Sequence, residues 1–180
     1  MGRVTDHIDQ ATAEWMDRQH LFFVGTAPSE GGRVNLSPKG LDSFRVIDER
    51  TVAYLDLTGS GAETIAHVRD NGRVTVMFCA FEGPPRILRL YGTGRVTLPT
   101  DQGFEELVAR FPERRAIRSV ISIDIARVQD SCGYAVPKMD FVENRTRLDI
   151  WADNRSDEDI EAYWAEKNAT SIDGLPALDV

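Results

Sequence analysis

Residues 55–78 read LDLTGSGAETIAHVRDNGRVTVMF, and the fold turns on how that stretch is parsed. An alternating strand runs into Thr58-Gly59-Ser60-Gly61, a short helical pattern follows, and an apolar strand begins after Asn71-Gly72. The turn has two readings. Gly59 and Gly61 permit a sharp strand-to-helix corner, with Ser60 or Thr58 capping the helix. Alternatively, unpaired backbone N–H groups, two hydroxyls and the positive end of a helix dipole form an anion cradle that needs no lysine. The segment on its own favours the corner, because its spacing matches neither a Walker A loop nor the dinucleotide fingerprint.

Working outward, the neighbouring segments fall into antiparallel pairs. LFFVGTA (21–27) and RVNLSPKG (33–40) flank a glycine-containing turn and read as a hairpin. FRVID (44–48) and TVAYLDL (51–57) are joined by polar residues, and RVTVMFCAF (73–81) and RILRLYGTGRVTL (86–98) flank the breaker Glu-Gly-Pro-Pro. In SVISIDIARV (119–128), Ile121, Ile123 and Ile125 alternate with Val120, Ser122 and Asp124, which predicts a strand with one apolar and one mixed face. Three helices lie outside these runs. The first spans Asp6 to His20, carrying Ile8, Trp15 and Met16, with Thr5 or Asp6 as N-cap. A second carries Phe104, Leu107, Val108 and Phe111, and a third begins near Ser156 with Asp159 completing a capping box. Short strands at near-regular spacing with peripheral helices predict a small closed antiparallel barrel, one domain over residues 1–180.

Composition narrows the function classes. The chain has 180 residues, 42% hydrophobic, enough for an ordinary core, and 29 acidic against 21 basic residues give a net charge of −8. That sign argues against nucleic acid or an anionic membrane as partner. There is no apolar run near the roughly 18 residues a membrane helix needs and no secretory leader pattern, so a cytoplasmic placement is expected. Cys79 and Cys132 show no CxxC spacing, which suits a reducing compartment, and Cys79 reads as a small buried hydrophobe.

A second informative stretch is GRVNLSPKGLDSFRV (32–46). Pro38 cannot donate to a ladder and should end or kink its strand, exposing Ser37, Lys39 and the Gly40 backbone. Lys39 there either neutralises a ligand anion or guards an edge strand. Other chemistries find little support. His7, His20 and His67 lack metal spacing and sit on helices or helix ends, where a solvated role is commoner than ligation. No nucleophile elbow is present. Cys132 reads as an incidental loop thiol, and Trp151 and Trp164 read as packing residues.

Taken in order, the helix, LFFVGTA, VNLSPKG, VAYLDL, the small-residue turn, ETIAHVRDNGRVTVMFCAF and PRILRLYGTGRV resemble the pyridoxamine 5′-phosphate oxidase-like family of FMN-binding split barrels. The likeness covers Trp15 to about Leu98 well and the remainder loosely, and SCGYAVP (131–137) and SIDGLPAL (171–178) point to a branch other than the oxidase itself. The resemblance implies a mainly β, six-stranded antiparallel split barrel with peripheral helices. It further implies a homodimer binding FMN at the subunit interface, the phosphate near the second and fourth strands. Where the oxidase clamps that phosphate with an Arg-Lys pair, this chain has Glu63 and Thr64. The phosphate then falls to Thr58, Gly59, Ser60, Gly61 and Thr64, with Lys39, Arg86 and Arg89 as cations. Ser37, Pro38, Lys39 and Gly40 would line the flavin's polar edge. The substrate-binding Arg-x-His of the oxidase is missing. The expected activity is thus an FMN-dependent oxidoreductase of unspecified small-molecule substrate. A non-catalytic flavin sensor, or a deazaflavin- or haem-binding relative, is the alternative.

Overall fold

A computed structural model describes residues 2–179. Its strands are β1 (Val4–Thr5), β2 (Phe22–Thr26), β3 (Asn35–Lys39), β4 (Phe44–Val46), β5 (Thr51–Leu57), β6 (Arg73–Cys79), β7 (Ile87–Thr97) and β8 (Ile117–Ser131). Helices α1 (Gln10–Asp17), α2 (Glu63–Asn71), α3 (Phe104–Val108), α4 (Arg147–Asp153) and α5 (Asp157–Lys167) complete the chain.

All strands join one antiparallel sheet in the order β3-β2-β6-β7-β8-β5-β4, with β1 pairing β8 off that path. The alternation in β8 acts as read: Ile121, Ile123 and Ile125 enter the main core, while Asp124 faces solvent. That core also takes Val24, Val76, Leu88 and Leu90 from the sheet and Ile65, Ala66 and Val68 from α2. Burial of each such Leu or Ile side chain contributes about 1.5–3 kcal/mol. A smaller cluster, Ala53, Leu55, Phe104, Phe111 and Val120, fills the other face under α3.

Two expectations change. The split barrel implied by the resemblance holds, and the closed barrel read from strand spacing does not: the sheet curls until the Phe22 ring of β2 lies 5.1 Å from that of Phe44 of β4 and 5.7 Å from that of Tyr54 of β5, yet no ladder joins edges β3 and β4. The sheet has eight strands where the resemblance implies six: the sequence runs mark seven of them, FRVID at β4 included, and only the two-residue β1 is too short for periodicity to show. The ladders shift register at two places, β7 against β8 at Tyr91/Gly92 and β5 against β8 at Asp56/Leu57, where bulges bend a sheet. A Cβ on Gly92 would lie 2.1 Å from the Asp124 carbonyl oxygen, so only glycine allows that approach.

Helix ends also differ in detail. The N-cap of α1 is Asp9, whose carboxylate accepts from Thr12 N–H, whereas the Thr5 hydroxyl donates to the His7 carbonyl. Helix α3 stops at Val108 rather than Phe111, and α4 has no counterpart in the sequence reading. The capping box of α5 is formed by Ser156 and Asp159, as its sequence indicates. Helix α2 ends in a left-handed Gly72, which leads directly into β6. Among the described residues no helix is long and apolar enough to cross a membrane.

Candidate functional site

The unclosed seam of the barrel contains a cavity of about 360 Å³, walled by β3, the 40–43 loop, the end of β5, the turn after it and the start of α2. Its size falls within the ordinary range for a small-molecule site. Strand β3 runs unbroken through Pro38, contrary to the expected kink. As the sheet's edge it has no neighbour for the missing N–H to serve on its outer side. Alternation leaves Leu36 and Pro38 exposed and turns the half-buried Asn35, Ser37 and Lys39 toward the cavity.

The Asn35 amide organises that wall. Its Nδ2 donates to Thr26 Oγ1 at 3.2 Å and Thr64 Oγ1 at 3.0 Å, while its Oδ1 accepts from Ser37 Oγ at 3.1 Å. Behind Thr26 lies His67, whose Nδ1 is 3.0 Å from Thr26 Oγ1. At 1% exposure His67 is a core residue, which corrects its reading as a solvated helix histidine. The buried Tyr54 hydroxyl has no hydrogen-bond partner among the described residues, and burial, with the Asp56 charge second, holds its pKa well above the ordinary tyrosine value.

Charge at the site centres on Asp56, 1% exposed. Arg118, at 3% exposure, donates from Nε and Nη2 to the two Asp56 oxygens at 3.0 and 3.2 Å, and Lys39 Nζ lies 3.4 Å from Asp56 Oδ1. Two further donations from Arg118 Nη1 reach the carbonyls of Gly61 at 2.8 Å and Gly59 at 3.4 Å.

The turn therefore departs from the corner reading. Neither Gly59 nor Gly61 adopts a positive φ, and α2 is capped by Ala62 without any side-chain bond. Thr58 donates from both N–H and hydroxyl to the Ala116 carbonyl and accepts from Trp164 Nε1 at 2.8 Å. Ala116 itself is held at φ +58°, a left-handed conformation that costs an alanine free energy. Asn168 Nδ2 holds the Gly59 carbonyl from the far side at 3.1 Å. The N–H groups of Gly59, Ser60, Gly61 and Ala62 have no protein acceptor among the described residues. Glu63, next in sequence, accepts the Ile172 N–H at 3.0 Å.

On the opposite wall, Leu41 and Asp42 both adopt positive φ, +63° and +54°. The loop is held by Ser43 Oγ donating to the Gly40 carbonyl at 2.6 Å and by Arg45 gripping both Asp42 oxygens. The Arg45 hydrogen bonds keep the Asp42 carboxyl below its usual range.

Of the residues singled out from sequence, Ser37, Pro38, Lys39, Gly40, Thr58, Gly59, Gly61 and Thr64 line this cavity. Ser60 stands at the exposed apex of the turn. Arg86 and Arg89 do not belong to the cavity. Arg86 pairs with Asp130 and lies 4.4 Å from the Trp15 ring, and Arg89 donates to Ser131 Oγ. Both sit on the β7 side, where strand order carries them away from the seam. Asn35, Asp56, Arg118 and Asn168 escape the sequence reading. A usable signal is present for two of them: Asp56 and Arg118 each interrupt an apolar strand run, the pattern of a buried ion pair.

The pyridoxamine 5′-phosphate oxidase family model matches residues 8–132. The chain belongs to this family. It is 44% identical, over 92% of its length and 73% of the relative's, to the pyridoxamine 5′-phosphate oxidase family protein ustO of Aspergillus flavus. Its fold is similar to that of HupZ from Group A Streptococcus, with a TM-score of 0.54 and 23% identity over 67% of this chain and 91% of that one. An FAD-binding protein of Mesorhizobium loti gives a TM-score of 0.51 and 15% identity over 72% of this chain and 95% of that one. The family match ends just beyond β8, so Trp164 and Asn168, which hold the turn from outside, lie beyond it.

Proposed function

We propose that the seam cavity takes a flavin, as FMN, and that the protein is a flavin-dependent oxidoreductase acting on a small molecule. Family membership supports this reading, as does the FAD-binding description of the Mesorhizobium loti protein. The observation that carries it is the meeting, in one cavity, of Gly59, Gly61 and Ala62, whose N–H groups have no acceptor among the described residues, with the Thr64 hydroxyl and the Lys39 ammonium. Formal charge in the wall is balanced, Lys39 and Arg118 against Asp56 and Glu63. Oriented backbone N–H groups and the α2 dipole would therefore hold the phosphate, with Lys39 as the half-buried cation. The Glu63 carboxylate is engaged by the Ile172 N–H, which lessens its repulsion of an anion.

Bound flavin supplies hydride or electron-pair chemistry. This chain's contribution is to orient and enclose. Ser37 offers a hydroxyl whose direction is set by Asn35, and the Gly40 backbone and Lys39 face the same space. Two exposed apolar side chains on or next to edge strand β3, Val34 at 80% and Leu36 at 64% exposure, suit coverage by a second copy, and we propose a homodimer through this edge.

An absorbance spectrum of the purified protein titrated with FMN tests the cofactor. A flavin band that co-purifies or titrates to one per chain is expected, and a Soret band or a deazaflavin spectrum would replace FMN as ligand. Light scattering of the loaded protein tests the dimer. Bleaching of the bound flavin by NADH or NADPH and its return in air tests turnover. A bound flavin that no reductant of this kind bleaches would favour the non-catalytic reading.

A further inference from the structure

We infer that Arg118 is a positioning residue that makes the 59–62 turn selective for the phosphate-bearing form of the flavin; this rests on the reading just given. The geometry of the peptide unit fixes the direction. No peptide bond in the described residues is cis, so each N–H points opposite to the carbonyl of the same unit. Arg118 Nη1 draws in the carbonyls of Gly59 and Gly61 together. The N–H groups in those same two units belong to Ser60 and Ala62, which must then face away from the guanidinium. Left free, a turn with two glycines would sample many carbonyl orientations. Arg118 removes that choice, because its own orientation is locked by the bidentate bond to Asp56.

Only arginine serves both tasks. Its planar fork spans a carboxylate and a pair of carbonyls at once, whereas a lysine would satisfy the Asp56 charge and leave the turn without its second anchor. Asn168 supports the arrangement from outside by donating to the same Gly59 carbonyl. The guanidinium is consequently spent on protein acceptors and does not itself need to touch the phosphate. Its effect reaches the ligand through the backbone.

The test is a fluorescence titration of wild type, Arg118→Lys and Asn168→Ala with FMN and with riboflavin, alongside circular dichroism melts. Wild type is expected to bind FMN about tenfold or more tightly than riboflavin, the scale of several charge-assisted bonds to phosphate. Arg118→Lys should reduce that preference to about twofold while riboflavin affinity stays within roughly threefold of wild type. A folded Arg118→Lys protein that keeps the full preference, or loses both flavins equally, overturns the inference. If Arg118→Lys does not fold, Asn168→Ala decides: a reduced preference is expected, and an unchanged one overturns it. Wild type binding both flavins equally overturns this inference and leaves flavin binding intact; wild type binding neither overturns both.

Discussion

Two arginine–aspartate pairs, one in the site and one in the scaffold, differ in everything but their chemistry. Arg118 and Asp56 are almost wholly buried, at 3% and 1% side-chain exposure, and the pair has further bonds to Lys39, Gly59 and Gly61. Arg86 and Asp130 are each 25% exposed, and the arginine lies over Trp15. A partly exposed pair is screened by solvent and contributes little. A buried pair loses hydration on both sides and persists only where extra hydrogen bonds complete it, so its presence marks a place where geometry matters more than stability. The sequence reading, guided by the resemblance, names Arg86 among its candidate cations and passes over Arg118.

The sharpest way to break this contrast is Arg118→Met. It leaves the Asp56 charge buried with only Lys39 near, and should cost about 3–5 kcal/mol of stability. Urea unfolding monitored by circular dichroism would measure it, and a loss near 1 kcal/mol would put the two pairs in one class. Next in size is Lys39→Ala, expected to weaken FMN binding by about 1–3 kcal/mol with the fold intact. Unchanged affinity with increased aggregation would return Lys39 to a guard of the edge strand. Arg86→Met keeps most of the packing on Trp15 and should cost about 1 kcal/mol or less, without altering flavin affinity. The smallest effect concerns Asp42, whose carboxyl Arg45 holds below its ordinary value. A depressed folded-state pKa means a contribution present at neutral pH and lost as pH falls below the unfolded value of 3.8. With Asp42 60% exposed, that contribution is under about 1 kcal/mol, and Asp42→Asn should flatten the acid limb of stability by no more than this.

Much of the architecture is legible in the sequence for a physical reason: alternation and breakers are local. The β2–β3, β4–β5 and β6–β7 pairs and the Ser156–Asp159 cap each lie within one short stretch of chain. What is not legible depends on distance or brevity. Whether β3 meets β4 is a property of the whole sheet, α4 begins without a capping side chain, and β1 is two residues long. The site divides the same way. Ser37 and Lys39 stand out because Pro38 punctuates their strand, and Thr64 because the resemblance puts it where the family has a phosphate clamp. Asp56 and Arg118 are 62 residues apart, and Asn168 and Gly59 are 109 apart. No local pattern joins such partners.

The loop from Gly40 to Ser43 has a mechanical consequence. Edges β3 and β4 share no ladder, so these few residues are the seam's one covalent stitch. They hold the strip of strands curled as a clasp holds a bracelet, with Leu41 and Asp42 bent into left-handed backbone at the clasp itself. A protease cut at Leu41 would leave every ladder of the sheet intact and still release the rim, so that the cavity opens while the secondary structure stays whole.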